Sequence, residues 1–317
     1  MIGAIIGDVV GSRFEFHNIL SKDFTFFAPG CTYTDDTVMT CAVAQALMDS
    51  KPDFSDLSEK TVAAMQRIGR QYPCCGYGAR FINWMFSDNP KPYNSCGNGS
   101  AMRVSPVGFA AHNIEEAKKL SAAVTCISHN HPEGVKGAEA TAVAIVMARL
   151  GKNKNEIRNA MAQYYDLNVT VDEYRTKWQG HGKEICQVSM PQALACFFEG
   201  DCYEDVIRNC VSIGGDSDTI AAIAGGIAEA YFYVPNEVKE RVWDFLPNDL
   251  ASICKEFDSW RDKFESERLV IAKPEIPESG FILDEREWAG VIARAKAEGI
   301  NVDERREQVR KMLQQEE

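Results

Sequence analysis

The sequence has no apolar run approaching the roughly 18 residues that a membrane-crossing helix needs, so no spanning segment and no membrane partner are expected. Positive charge is also short: 46 acids against 34 bases leave a net charge of −12. That balance argues against a broadly basic nucleic-acid surface. The 11 cysteines form no Cys-x-x-Cys pair and keep no regular spacing. An odd count behind an N-terminus without a basic region or cleavage site points to reduced thiols and a cytoplasmic chain. Three motifs are missing as well: the P-loop Gly-x-x-x-x-Gly-Lys-Ser/Thr, the EF-hand Asp-x-Asp-x-Asp-Gly loop and the Gly-x-Ser-x-Gly elbow. Their absence removes P-loop phosphate binding, EF-hand calcium binding and an elbow-borne serine nucleophile. No alternating strand pattern recurs, and no repeat of roughly 20–50 residues is visible.

What the chain has is small-residue helix. Gly3, Gly7 and Gly11 recur every four residues, leaving one helix face without side chains for another element to approach. Met39, Ala42, Val43 and Ala46 share a helical face. So do Ala138, Thr141, Ala142 and Ile145, and so do Ile220, Ile223, Ala224 and Ile227. Further helices are expected near 114–128, 135–150, 155–165, 191–199, 203–211 and within 236–260. Residues 79–86 fit helix or strand equally, and Ser95–Arg103 reads as a Gly-rich loop. The implied fold is all-α, a compact multi-helix bundle over residues 1–260. Pro274, Pro277 and Gly280 then mark a break, and the charge-rich 261–317 reads as an appended helical extension with an apolar stripe at Trp288, Val291, Ile292 and Ala295.

Two acid clusters each open an apolar helix: Thr34-Asp35-Asp36-Thr37 and Gly214-Gly215-Asp216-Ser217-Asp218-Thr219. Acids at a helix N-terminus are favoured by the dipole, and a single Asp, Ser or Thr there is an ordinary cap. Two such clusters, about 180 residues apart, read instead as opposing halves of one site. Asp35, Asp36, Asp216 and Asp218, with the Thr34 and Thr219 hydroxyls, offer only hard oxygens, which suit Mg²⁺ or Mn²⁺ and not Zn²⁺. Four gathered carboxylates repel one another, and two divalent cations would relieve that repulsion. Gly97-Asn98-Gly99-Ser100 and Gly214-Gly215 can turn backbone N–H groups toward an anion. Glu15, between Phe14 and Phe16, is either a surface glutamate or a pocket carboxylate fit for proton transfer. His129-Asn130-His131-Pro132-Glu133-Gly134 reads as a helix-breaking loop more readily than as a zinc pair.

Read together and in order, these stretches resemble the ADP-ribosylglycohydrolase family. The resemblance is carried by Gly3–Ser12, Phe14-Glu15, Thr34-Asp35-Asp36-Thr37 and Gly97-Asn98-Gly99-Ser100-Ala101-Met102-Arg103. It continues with Ser128-His129, Pro191-Gln192-Ala193-Leu194 and Gly214–Thr219. It implies an all-α fold with a binuclear Mg²⁺ or Mn²⁺ centre held by Thr34, Asp35, Asp36, Asp216, Asp218 and Thr219. It implies that Glu15 lies on a mobile loop near the scissile bond; the paired acid clusters then make Glu15 the expected proton-transfer residue, with Asp35 or Asp36 as the runner-up that positions water. ADP-ribose contacts are implied at Gly97, Asn98, Gly99, Ser100, Met102, His129, Gly134, Gly214 and Gly215. The implied partner is an ADP-ribosylated protein or conjugate, and the implied reaction is cleavage at C1″ of the distal ribose. Two further readings stand beside it: a catalytically silent ADP-ribose binder, and a binuclear hydrolase of nucleotide-like substrates.

Overall fold

The computed structural model describes residues 1–177 and 183–271. The chain divides into a unit Met1–Glu265 and a second unit Ser266–Glu317. Beyond residue 271 the expected C-terminal extension lies outside the described residues, as does its stripe of Trp288, Val291, Ile292 and Ala295.

The described residues hold fifteen α-helices and no strand. They are α1 (Ile2–Gly11), α2 (Asp35–Asp49), α3 (Leu57–Gly69), α4 (Ala79–Phe86), α5 (Gly99–Met102), α6 (Ser105–Ala110), α7 (Ile114–Thr125), α8 (Pro132–Arg149), α9 (Lys154–Met161), α10 (Val171–Lys177), α11 (Cys186–Glu199), α12 (Tyr203–Ser212), α13 (Ser217–Tyr231), α14 (Asn236–Val242) and α15 (Asn248–Ile271). A helix thus runs across the expected boundary at residue 260. The ambiguous 79–86 is helical. The Gly-rich loop closes into the single turn α5, too short to show a period. α11 begins at Cys186, five residues before the expected start, because Pro191 lies inside it and reads in sequence as a first-turn proline. α10 lies between the expected helices at 155–165 and 191–199, where no helical period stands out.

The seam between α1 and α13 positions the site. A Cβ on Gly7 would fall 2.1 Å from the Ala221 carbonyl oxygen, and one on Gly3 or Gly11 would fall 2.5 Å from the carbonyl of Gly225 or Ser217. The four-residue glycine spacing therefore serves a backbone-to-backbone contact, as the bare helix face suggested. Ser217 Oγ donates to Gly11 O at 3.0 Å, and Tyr203 Oη donates to Gly3 O at 2.7 Å. Behind the seam Ile220, Ile223 and Ile227 are fully buried, and Val38, Met39, Ala42, Val43 and Ala46 bury the matching face of α2. Both acid-bearing helix starts are thus anchored by apolar burial.

Candidate metal site and substrate cleft

The first acid pair is set by a residue the sequence reading passed over. Asp8 on α1 is completely buried. Its carboxylate accepts four hydrogen bonds: Thr34 N (3.0 Å), Thr34 Oγ1 (2.8 Å), Thr37 N (3.0 Å) and Thr37 Oγ1 (2.5 Å). Burial pushes its pKa up against those bonds. Asp8 therefore fixes the first turn of α2 from below. Thr34 is the N-cap, its hydroxyl oxygen accepting from Asp36 N at 3.2 Å. With its proton given to Asp8, the Thr34 hydroxyl keeps one lone pair for a further ligand. The cap and Asp8 leave the carboxylates of Asp35 and Asp36 free of capping work. Asp35 is held from the other side, its N–H donating to Cys75 O at 2.7 Å.

The second pair sits at the start of α13. Asp216 occupies the N-cap position but makes no capping bond. Its Oδ2 instead accepts from Asn98 Nδ2 at 2.5 Å, and the same amide donates to Ser189 Oγ at 2.8 Å. Asp218 is nearly buried, with Thr219 N–H donating to its Oδ1 at 2.9 Å. Thr219 Oγ1 then donates to Asp36 Oδ2 at 3.1 Å, the direct link between the halves. Gly214 and Gly215 hold φ of 71° and 79°, a backbone that favours glycine.

Glu15 follows α1 and joins the second pair. Oxygens of Glu15, Asp216 and Asp218 lie within 4.8 Å of one another, a spacing that can hold a metal ion. Asn18, which carried no sequence signal, fastens this arrangement. Its amide nitrogen donates to the carbonyls of Phe14 (2.6 Å), Glu15 (3.1 Å) and Gly215 (2.9 Å), and its oxygen accepts from Gly215 N at 3.0 Å.

The electrostatics favour cations. Burial and then the neighbouring Asp216 raise the Glu15 pKa to about 7. Burial and then neighbouring carboxylates push Asp35, Asp36 and Asp218 well above the ordinary range. The other oxygen of Asp36, Oδ1, is buried without a hydrogen-bond partner. A fully hard-oxygen set, mutual repulsion and an orphaned carboxylate oxygen together fit divalent cations.

These groups line a cleft of about 970 Å³. Gly97, Asn98, Gly99, Met102 and His129 line it too, together with Glu184, Arg103 and an aromatic group that includes Tyr93 and Phe81. Four residues expected to touch ligand, Ser100, Gly134, Gly214 and Gly215, are not among those lining it. Ser100 is fully buried and donates to Gly97 O at 3.1 Å. Gly134 lets α8 start against Ser95, whose carbonyl would be 2.6 Å from an added Cβ. Gly214 and Gly215 back onto Asn18. His131 caps α8 by accepting from Glu133 N at 3.1 Å, so the two histidines have separate tasks.

A sequence profile described as ADP-ribosylglycohydrolase matches residues 1–264. Human ADP-ribosylhydrolase ARH3 is 26% identical over 313 residues, covering 73% of this chain and 84% of that protein. The ADP-ribosylarginine hydrolase Tri1 of Pseudomonas putida (strain GB-1) is 23% identical, covering 77% of this chain and 73% of its own length. A solved structure titled "ADP-ribosylglycohydrolase-related protein complex" superposes with a TM-score of 0.57 at 21% identity, covering 84% of this chain and 94% of that one. The last likeness speaks for the fold.

Proposed function

From the premise that the chain belongs to the ADP-ribosylglycohydrolase family, we propose that this cleft hydrolyses the C1″ glycosidic bond of an ADP-ribosyl group. The conjugate is a modified protein side chain or a related ADP-ribosyl compound. The observation that carries the reading is the opposition of the two acid pairs across the Thr219–Asp36 hydrogen bond, with Asp36 Oδ1 left unsatisfied between them.

Two divalent cations, Mg²⁺ or Mn²⁺, are proposed for Asp35, Asp36, Asp216 and Asp218, with Thr34 and Thr219 contributing hydroxyl oxygens. Bound there, they would neutralise the carboxylates and act as Lewis acids toward ribose hydroxyls and water. Glycoside cleavage passes through an oxocarbenium-like state: the bond from C1″ to the acceptor atom breaks, water adds to C1″, and the leaving atom gains a proton. Glu15 is assigned the proton transfer. In the cation-free site burial and Asp216 hold its carboxyl at about 7, and a carboxyl placed beside the scissile bond can give up and take back a proton. Asp35 or Asp36 orients the water. Asn98 steadies Asp216, and Asn18 keeps the Glu15 turn against Gly215, so the protein's polar groups are placed before substrate arrives.

Eleven cysteines without a disulfide suit a reducing compartment, and we assign the chain to the cytoplasm. The decisive experiment follows ADP-ribose release from serine-linked, arginine-linked and O-acetylated substrates, with Mg²⁺, with Mn²⁺ and with a chelator. Release from at least one substrate that stops with the chelator is expected. Turnover at full rate without metal overturns the mechanism.

A further inference from the structure

The part of the cleft lined by Arg103 and His129 holds a buried polar chain that the proposed chemistry does not use. Arg103, just after α5, is 1% exposed, and among the described residues it has no ion pair. Its Nη2 donates to Ser128 Oγ at 2.8 Å and more weakly to Val124 O at 3.4 Å. Its Nε has no partner, and the guanidinium lies 5.6 Å from the centre of the Phe81 ring. Ser128 is fully buried, and its Oγ stands 2.9 Å from Nδ1 of His129.

The proton positions in this chain follow from donor chemistry. A guanidinium can only donate, so Ser128 Oγ accepts from Arg103. The hydroxyl hydrogen of a fully buried serine needs an acceptor, and His129 Nδ1 is the one in reach. The reverse arrangement would place two donors on Oγ and strand its own hydrogen. Nδ1 is therefore the bare nitrogen, and the ring hydrogen sits on Nε2. That atom faces the Gly97–Gly99 loop: it would lie 3.5 Å from a Cβ on Gly97 and 3.3 Å from one on Gly99. Burial, Arg103 and Arg80 each oppose a second ring proton.

We propose that Arg103 and Ser128 are positioning residues that hold His129 as its neutral Nε2–H tautomer. The ring then offers the cleft a hydrogen-bond donor, aimed at an oxygen acceptor on a ligand seated beside the Gly97–Gly99 loop. It offers neither a metal-binding lone pair nor a base. The tautomer half stands on the protein alone; the ligand half rests on the reading of the cleft as an ADP-ribose site.

Long-range ¹H–¹⁵N correlation spectra of the full chain at neutral pH test the first half. The expected wild-type signature is an unprotonated Nδ1 and a protonated Nε2 on His129. Ser128→Ala is expected to blur it into a tautomer mixture, and Arg103→Met to do the same where it folds. A protonated Nδ1 in the wild type, or an unchanged signature in Ser128→Ala, overturns the proposal. Calorimetric titration with ADP-ribose tests the second half. His129→Gln, which keeps a donor near the Nε2 position, should stay within about threefold of wild-type affinity, while His129→Leu should lose about tenfold. Equal losses in both overturn the donor role. Wild-type protein that binds no ADP-ribose while keeping the tautomer signature counts against the cleft reading and its ligand half, and leaves the tautomer standing.

Discussion

Glu15 sits where burial and Asp216 together bring a carboxyl into the neutral range. Replacing it with Gln keeps size and hydrogen bonding but removes the transferable proton. Glu15→Gln is expected to lower kcat by about 10²–10⁴-fold and to change ADP-ribose affinity little; full activity in this variant would remove Glu15 from the chemistry. The neighbouring acids make a second prediction. Asp35, Asp36, Asp218 and Glu15 all titrate higher in the folded protein than unfolded. Proton binding therefore stabilises the cation-free fold. That stability is fully present below the unfolded carboxylate pKa of about 4 and is lost as pH rises, through about 7 for Glu15. The proposed divalent cations would compete for the same oxygens, so the melting-temperature gain from Mn²⁺ or Mg²⁺ over chelator should grow from acidic to neutral pH. An equal gain at both would mean that cations bind elsewhere. Asp8 gives a third. Asp8→Asn turns one acceptor into a donor facing the Thr34 and Thr37 hydroxyls and N–H groups. It should cost about 2–4 kcal/mol by denaturant unfolding, and weaken cation binding by calorimetry. The acids Asp35, Asp36, Asp216 and Asp218 were legible because each cluster is local. Asp8 was hidden, a lone acid within an apolar glycine-faced helix. Asn18 was invisible, because its hydrogen bonds reach Gly215, 197 positions away.

At the scale of helices, the α1–α13 seam sets the distance between Glu15 and the second acid pair. Gly7→Ala places a methyl carbon 2.1 Å from a backbone oxygen that cannot swing aside. The helices must separate, at a cost of about 1–3 kcal/mol or more, and cation affinity should fall with stability. A Gly7→Ala protein with wild-type melting and wild-type cation binding would show that the seam does not set the site. The glycine period was readable because it repeats. The single turn α5 was not, since four residues show no face. The early start of α11 was masked by Pro191, which reads as an opening proline although it lies inside the helix.

For the whole molecule, every proposed ligand and proton-transfer residue falls within Met1–Glu265, the unit that nearly coincides with the family match to residue 264. The extension is therefore proposed to be dispensable for chemistry. A chain ending at Glu265 should keep chelator-sensitive release of ADP-ribose within about threefold of the full chain, and a loss beyond tenfold would give the extension a part in the site. The all-α architecture was legible from helical periods and missing strand patterns. The joining of two distant clusters was legible only because both carried the same unusual chemistry; Arg103, Ser128 and His129 stand in the motifs, but the hydrogen bond that ties Arg103 to Ser128 is a tertiary contact that no local pattern encodes.

The glycine seam also dictates an order of events. α1 cannot bury its bare face until α13 exists, and the two lie some 200 positions apart. Contacts of such long range close late, after local helices have formed. During synthesis α1 must then wait, sticky and unpaired, for most of the unit to emerge. The site is accordingly among the last parts of the protein to be completed. Capture of the proposed cations would then report that the two ends of the domain have met.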